Sequence, residues 1–322
     1  MFTKHLLTLC SAAMMTAAVP QAYAQQETPL PSMIRIVVPA SPGSSTDTLG
    51  RTVANELSQR IGSTVIVENR PGVGTLLGSA AVAKGPTDGS MLLINSTSLV
   101  STAASMPEPL LDVLKDLRPV ALLEENPLVV AVAEKTGIKT PQDYVKAARD
   151  GRVTHGTTGV GSIAHFAQEF FAEAAGIEIT HVPYKGAALA VTDMAGGNID
   201  SVIATWTTVA PGIRTGNARA IGITSAEPNA AFPDLPVMAS VAPGFDLSLW
   251  IGIFAPSGTP DDVVERLNRE INAVSKSPAV SKIFEADGGT PLQMTPDEIS
   301  ERMRTAYETF KEASKAEAFA RQ

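Results

Sequence analysis

Serine, threonine and glycine residues fill a short segment between an apolar run and a helical pattern near the start of the chain. The segment IRIVVPASPGSSTDTLGR (Ile34 to Arg51) ends its apolar run before Pro39, and Leu49 opens the helical pattern. If the helix begins at Ser44, the amides of its first turn have no partner within the helix, and the helix dipole favours an anion beside them. Ordinary capping of a surface helix is the alternative interpretation. The residues predicted to bind an anion here are Ser41, Gly43, Ser44, Ser45, Thr46 and Asp47.

A second segment repeats this design in the middle of the chain. VTHGTTGVGSIAH (Val153 to His165) is typical of a strand, a glycine-rich turn and the start of a helix. Its run from Gly159 to Ala164 also fits the G-x-G-x-x-A pattern of dinucleotide-binding turns. That pattern requires an acidic residue after the next strand, whereas the sequence there is HVPYKG, without a carboxylate. We therefore favour a small anion, and the residues predicted to contact it are Thr157, Gly159, Gly161, Ser162 and His165.

Other predicted strands also end in hydroxyl-bearing residues. INSTSLVS (Ile94 to Ser101) contributes Thr97, and a later strand is followed by Thr205 and Trp206 as further candidate ligand contacts. VENRPGVGTLLG (Val67 to Gly78) adds a tight turn that is either structural or in contact with a ligand. Ligands bind open α/β sheets at the carboxyl ends of the strands. Neutral donors at several such ends suit a receptor that must release a carboxylate, because no fixed ion pair has to be broken.

The sequence carries few residues that could catalyse a reaction or hold a metal. After the predicted leader, histidine occurs at His155, His165 and His181, and no HExxH, paired His–carboxylate or G-x-S-x-G pattern is present. His155 and His181 fall on apolar strands, which favours structural roles for them. We therefore predict no metal site and no cofactor. An exported α/β hydrolase, with a serine and a histidine brought together by folding, is the alternative function.

Strand-like apolar runs alternate with helical patterns along most of the chain. Leu49, Val53, Leu57 and Ile61 repeat at four-residue spacing, as a helix with one buried face requires. This alternation predicts parallel sheets covered by helices on both faces. The predicted strands are Ile34–Val38, Thr64–Val67, Met91–Ile94, Val129–Ala133, Val153–His155, Ile179–Val182, Ser201–Ala204, Ala218–Thr224 and Ile251–Ala255.

Several helix starts and two crossings between lobes can also be predicted. Thr140-Pro141, Thr259-Pro260 and Thr295-Pro296 each place a capping hydroxyl before a proline at the first helical position. The apolar segments Leu122–Ala133 and Leu249–Ala255 are long enough to cross from one lobe to another. We therefore predict a discontinuous first lobe, residues 32–125 with 246–322, and a second lobe, residues 126–245.

Composition and the N-terminus bound the class of protein. The chain has 322 residues and a formal charge of -8, which leaves no basic excess for a nucleic-acid partner. Lys4, the uncharged stretch Leu6–Val19 and the small residues Ala22 and Ala24 predict a signal peptide, residues 1–24, that is cleaved after export. Cys10 is the single cysteine, so the mature protein would have no disulfide.

Several motifs occur in a characteristic order: VVPASPGSSTD, VENRPGVGTLLGSAAVAK, DGSMLL, PVALL, HGTTGVGSIAHFAQEFF, HVPYKG, ALAVTDMAGGNID, GIFAPSGTP and LNREIN. This order resembles that of the solute receptors of tripartite tricarboxylate transporters, also called the Bug family, from about Ile34 to the C-terminus. The resemblance implies a two-lobed α/β periplasmic binding protein of type II, each lobe a mostly parallel sheet flanked by helices. The ligand would lie in the cleft between the lobes, which close by a hinge.

The resemblance also implies the ligand, the partners and the location. One carboxylate of a small organic acid would be held by Ser41 to Asp47, often through waters, and the other by Thr157 to His165. The protein would be a periplasmic monomer that delivers the acid to the membrane components of a tripartite tricarboxylate transporter. Many family members carry an acidic residue where this chain has Thr205. Because that change removes a partner for an ammonium group, we predict an amine-free aliphatic or aromatic dicarboxylate.

Overall fold

The computed structural model describes residues 28–315. The predicted signal peptide, residues 1–24, and Cys10 lie outside the described residues. In chain order the strands are β1 (Met33–Val38), β2 (Thr64–Asn69), β3 (Met91–Ser96), β4 (Leu117–Pro127), β5 (Val129–Ala133), β6 (Thr154–Thr157), β7 (Thr180–Pro183), β8 (Ser201–Ala204), β9 (Ala218–Ile223), β10 (Ser248–Pro256) and β11 (Thr290–Pro291). The α-helices are α1 (Ser45–Ile61), α2 (Leu76–Ala83), α3 (Ser98–Ser105), α4 (Pro141–Arg149), α5 (Ile163–Ala175), α6 (Ala187–Gly196), α7 (Trp206–Arg214), α8 (Asp261–Val274), α9 (Pro278–Asp287) and α10 (Pro296–Ala313).

The strands form two sheets, and each sheet with its helices makes one lobe. The six-stranded sheet of the first lobe has the order β11-β4-β10-β3-β1-β2, and the five-stranded sheet of the second lobe has the order β7-β6-β8-β5-β9. The parallel pairing predicted from the sequence holds for β1, β2 and β3 and for β6, β7 and β8. The remaining strands pair antiparallel, so both sheets are mixed.

β5 and β10 run antiparallel to their neighbours because the chain enters each of them from the other lobe. β4 ends at Pro127 in the first sheet and β5 begins at Val129 in the second, so the first crossing lies within the predicted segment Leu122–Ala133. The predicted segment Leu249–Ala255 does not cross, because it lies within β10 of the first sheet and the return crossing precedes it.

Thr224 joins the two crossings. Its hydroxyl accepts a hydrogen bond from the amide of Leu128 at 2.9 Å and donates one to the carbonyl of Leu247 at 2.6 Å. Its own amide donates to the Leu128 carbonyl, and the amide of Leu247 donates to the Thr224 carbonyl. The threonine is fully buried. One side chain therefore fixes where both chain segments pass from lobe to lobe.

Local sequence signals account for most helix starts. The buried face of α1 contains Leu49, Val53 and Leu57, as the four-residue spacing predicts. Thr140 and Thr295 form capping boxes at α4 and α10. The prediction for Thr259 is wrong, because α8 begins one residue later, with Pro260 as its N-cap, and the buried Thr259 hydroxyl donates to the Pro256 carbonyl instead.

Candidate ligand-binding cleft

The loop between β1 and α1 is fixed from within by Asp47. Ser44 is the N-cap of α1 and accepts a hydrogen bond from the Asp47 amide, as predicted. The buried Asp47 carboxylate accepts from the amide of Gly43 at 2.8 Å, from Arg51 Nε at 3.1 Å and from Asn69 Nδ2 at 2.8 Å. Burial alone would raise the pKa of Asp47, but these hydrogen bonds and the Arg51 charge outweigh it and lower the pKa. The carboxylate therefore serves the loop, and the loop's outward donors are other groups.

Those outward donors come from the first turn of α1 and from the residues before it. Among the described residues, the amides of Ser45 and Thr46 and the hydroxyls of Ser41, Ser45 and Thr46 have no hydrogen-bond partner. Ser41 is exposed, and the other two are half-buried. A helix N-terminus with unpartnered amides is an anion-binding arrangement. The first predicted segment therefore presents neutral donors beyond the carboxyl end of β1.

The glycine-rich loop between β6 and α5 has the same organisation. Ser162 is the N-cap of α5 and accepts from the His165 amide. The Thr157 hydroxyl accepts from the Gly159 amide at 3.1 Å and hydrogen-bonds a ring nitrogen of His181. Gly159 and Gly161 have φ values of +112° and +77°, a region that favours glycine. The side chains of Thr157 and Ser162 thus hold the loop in shape.

The buried His165 side chain holds this loop in position. Its ring is fully buried, accepts a hydrogen bond from the Gly161 amide through Nδ1 at 3.1 Å and stacks on His181 at a centroid distance of 4.1 Å. Nε2 lies 3.6 Å from a Glu169 oxygen. The structure therefore gives the His165 side chain a positioning role. Thr158, within the predicted segment, is half-buried, and its hydroxyl has no hydrogen-bond partner among the described residues.

Helix α3 of the first lobe brings the two loops to the same side of the molecule. Ser101 Oγ donates to the Gly161 carbonyl at 2.9 Å, and Thr102 Oγ1 donates to the same oxygen at 3.3 Å. The amide of Ile163 donates to Ser98 Oγ at 3.5 Å. Because α3 follows β3, the carboxyl edge of the first sheet touches the loop at the carboxyl edge of the second sheet.

Thr97 follows β3 and joins it to β10. Its hydroxyl accepts from the amide of Trp250 at 2.9 Å, and its own amide donates to the Trp250 carbonyl at 2.9 Å. Both residues are buried. Sequence alone does not reveal this pairing, because 153 residues separate the two positions.

Thr205 and Trp206 lie at the start of α7, at the carboxyl end of β8. Thr205 Oγ1 is 2.8 Å from Thr208 Oγ1, and the Trp206 ring packs on Phe232. Thr207, the next residue, is hydrogen-bonded to Asp287 of the first lobe. Its amide donates to Asp287 Oδ1 at 2.7 Å, and its hydroxyl donates to Oδ2 at 3.0 Å.

Sequence reasoning missed Asp287. Burial raises the pKa of this carboxyl, and the two hydrogen bonds from Thr207 act in the opposite direction. The carboxylate at the end of α9 thus caps the N-terminus of α7 from 80 residues away.

Charged groups near the first loop are paired with one another. Arg51 binds Asp47, and Arg70 binds Glu68. In the part of the chain that the structure describes, no group of three or more His, Cys, Asp or Glu side chains could hold a metal ion. None of the helices described is long and apolar enough to cross a membrane. The neutral donors of this region are therefore the amides and hydroxyls before and at the start of α1 and the Thr158 hydroxyl before α5.

Known proteins are similar to this chain in sequence and in architecture. The family model of the tripartite tricarboxylate transporter family receptor matches residues 49–315. Protein BugT of Bordetella pertussis is 37% identical over 270 residues, which cover 82% of this chain and 83% of BugT.

Solved structures give the same result. A structure described as that of a periplasmic transporter is 31% identical, with a TM-score of 0.83, and the match covers 88% of this chain and 97% of that one. R. palustris Rpa4515, solved with adipate, is 26% identical, with a TM-score of 0.83 and coverage of 88% and 96%. The chain therefore belongs to the receptor family of the tripartite tricarboxylate transporters, whose members are two-lobed periplasmic binding proteins.

Proposed function

We propose that this receptor binds an amine-free aliphatic or aromatic dicarboxylate and delivers it to the membrane components of a tripartite tricarboxylate-type transporter. The observation that carries the proposal is the pair of loops before α1 and α5, which lie on the same side of the molecule. The first presents the unpartnered amides of Ser45 and Thr46, and the second presents the Thr158 hydroxyl, which has no partner among the described residues. Each helix N-terminus favours one carboxylate. Two such ends therefore suit an acid with two carboxylates, and a relative solved with adipate supports this class of ligand.

Neutral donors explain how the ligand is both held and released. Closing the lobes removes water from the cleft, and hydrogen bonds to the carboxylates strengthen in the lower dielectric. On opening, water replaces these donors without the separation of an ion pair. Thr205, where many relatives have an acid, offers no charge to an ammonium group, which is the reason to expect a ligand without an amine.

A binding protein without catalytic activity and without a cofactor fits the histidine environments better than a hydrolase does. His155 Nδ1 lies 2.9 Å from Ser201 Oγ, so a serine–histidine pair exists. Both residues are fully buried, and burial, together with the neighbouring His181 and His165, lowers the pKa of His155 to about 3. A histidine that stays neutral in the core cannot accept a proton from a serine that a substrate must reach.

We further infer that the protein is a periplasmic monomer, exported by the signal peptide of residues 1–24. Closure would rotate lobe 1, residues 32–125 with 246–322, against lobe 2, residues 126–245. The junction around Leu128, Thr224 and Leu247 is where such a hinge would lie, since both chain crossings meet there.

Calorimetric titration with adipate, succinate, glutamate and aspartate tests this proposal. We expect adipate or succinate to bind more tightly than either amino acid. Thr46→Val should weaken binding by about 10-fold, since it removes one hydroxyl donor to a carboxylate. Thr48→Val is the matched control, because Thr48 is an exposed threonine two residues further along the same helix. Tighter binding of an amino acid than of both amine-free acids, or equal affinity for Thr46→Val and the wild type, would contradict the proposal.

A further inference from the structure

Four consecutive residues after β2 have a positive φ. The values are +140° at Gly72, +47° at Val73, +56° at Gly74 and +86° at Thr75. Glycine adopts this region freely, but a β-branched residue such as valine or threonine rarely does, because its side chain crowds the neighbouring backbone. Strain of this kind persists only where the surroundings impose it, and it concentrates at functional sites.

A buried network imposes the conformation. Asn95 Nδ2 donates to Thr75 Oγ1 and to Ser79 Oγ, both at 3.1 Å, and Ser79 Oγ donates to the Thr75 carbonyl at 2.9 Å. Asn95 and Ser79 are buried. The network fixes Thr75, and the side chain of Val73, two residues before it, remains 51% exposed. The network therefore fixes a turn that holds a half-exposed valine at positive φ.

This turn lies between the two ligand loops. On one side, the Arg70 amide donates to the Val38 carbonyl at 2.8 Å, beside the β1–α1 loop. On the other side, a Cβ at Gly74 would lie 2.6 Å from Thr102 Cγ2, and Thr102 donates to the Gly161 carbonyl of the glycine-rich loop. Val73 therefore belongs to a turn that lies between the two loops, and about half of its side chain is exposed.

We propose that Val73 is a specificity-determining residue that contacts the hydrocarbon middle of the bound acid. The inference rests on the proposed function and refines its ligand class. An unsubstituted methylene chain or ring gains by burial against the isopropyl group. A hydroxyl at the same place would lose its water without gaining a partner from valine. Val160, 47% exposed in the glycine-rich loop, offers a second apolar side chain from the other lobe. The cleft therefore prefers a plain dicarboxylate over a hydroxylated one.

Two substitutions at this position separate a ligand contact from a structural role. Val73→Gly relieves the strain, so the melting temperature should hold or rise, while the Kd for adipate rises about 4- to 15-fold, as expected for one to two buried methyl groups. Val73→Thr keeps the shape and adds a hydroxyl, so the ratio of adipate to tartrate affinity should fall. Ile66→Ala, which shortens a 39% exposed side chain of β2, is the control and should leave both affinities unchanged.

The outcomes distinguish this inference from the proposed function. Wild-type titrations test the proposed function, and if no dicarboxylate binds, both ideas fail at that step. If the wild type binds adipate and Val73→Gly binds it equally well with the same adipate-to-tartrate ratio, the role of Val73 is refuted while the proposed function stands. A fall of several degrees in the melting temperature of Val73→Gly would also refute it, because the side chain would then stabilise the fold.

Discussion

Gly161 should tolerate no side chain, and its replacement should disable ligand binding. Its φ of +77° disfavours any residue with a Cβ, and a Cβ there would overlap Ser105 Oγ and lie 3.3 Å from Thr102 Cα on α3. Gly161→Ala must therefore push the glycine-rich loop away from the first lobe. The hydrogen bonds that Ser101 and Thr102 donate to the Gly161 carbonyl would lengthen or break.

The magnitude follows from these contacts. The left-handed conformation costs alanine roughly 1–2 kcal/mol relative to glycine. Each lost hydrogen bond between α3 and the loop removes about 0.5–1.5 kcal/mol. Displacement of the loop also misplaces donors at the N-terminus of α5, and a hydrogen bond to a charged ligand contributes about 1.5–3 kcal/mol. We therefore expect the Kd for a dicarboxylate to rise by about 10- to 150-fold.

Gly176→Ala is the matched control. Gly176 ends the same helix with a φ of +62°, and no atom lies within 4 Å of its would-be Cβ. Backbone strain should lower the free energy of unfolding of Gly176→Ala about as much as it does in Gly161→Ala, but Gly176→Ala should bind adipate like the wild type. The double variant Gly161→Ala with Ser105→Ala removes the nearest clash and should recover part of the affinity. Wild-type affinity for Gly161→Ala, or an equal loss for Gly176→Ala, would refute the reasoning.

Two further predictions concern buried carboxyl groups. Burial and the neighbouring Asp287 raise the pKa of Glu124 to about 8. The native state therefore keeps a proton that the unfolded state loses above about pH 4.5. The free energy of unfolding should fall by about 1.4 kcal/mol per pH unit between these two pH values. Thermal unfolding should show Glu124→Gln more stable than the wild type at pH 8 and similar at pH 4, and equal melting curves at both would contradict this. Asp47→Ala should lower the free energy of unfolding by about 2–4 kcal/mol at pH 7, since it leaves Arg51, Gly43 and Asn69 without their acceptor. Denaturant titration should show this loss shrinking as the pH falls below 3.8 and through the lowered pKa of Asp47.

The two ligand loops were predictable because their signals are local. A strand, a turn rich in small residues and a helical pattern within about a dozen residues suffice to predict a helix start in each segment, and both helix starts are confirmed, with Ser44 and Ser162 as the N-caps. The direction of the crossing strands was not predictable in the same way. β5 and β10 pair antiparallel because the chain enters each sheet from the other lobe, and periodicity carries no information about the side of entry.

Side-chain roles within the predicted loops were also beyond local signals. Asp47, Thr157 and His165 stand in the predicted anion-binding segments, yet their polar atoms bind the loops themselves. Sequence identifies which groups could donate or accept, but which of them face outward depends on partners such as Asn69 and His181, found 22 and 24 residues away.

Asp287 links the architecture of the cleft to the class of ligand. Helix α7 begins at the carboxyl end of β8, so its N-terminus could hold an anion as those of α1 and α5 do. The carboxylate of Asp287 already occupies it, through the amide and the hydroxyl of Thr207. This carboxylate is buried, and both of its oxygens accept a hydrogen bond from Thr207. It therefore caps the helix, which leaves the two serine-capped helices as the candidate anion sites and supports the proposed acid with two carboxylates.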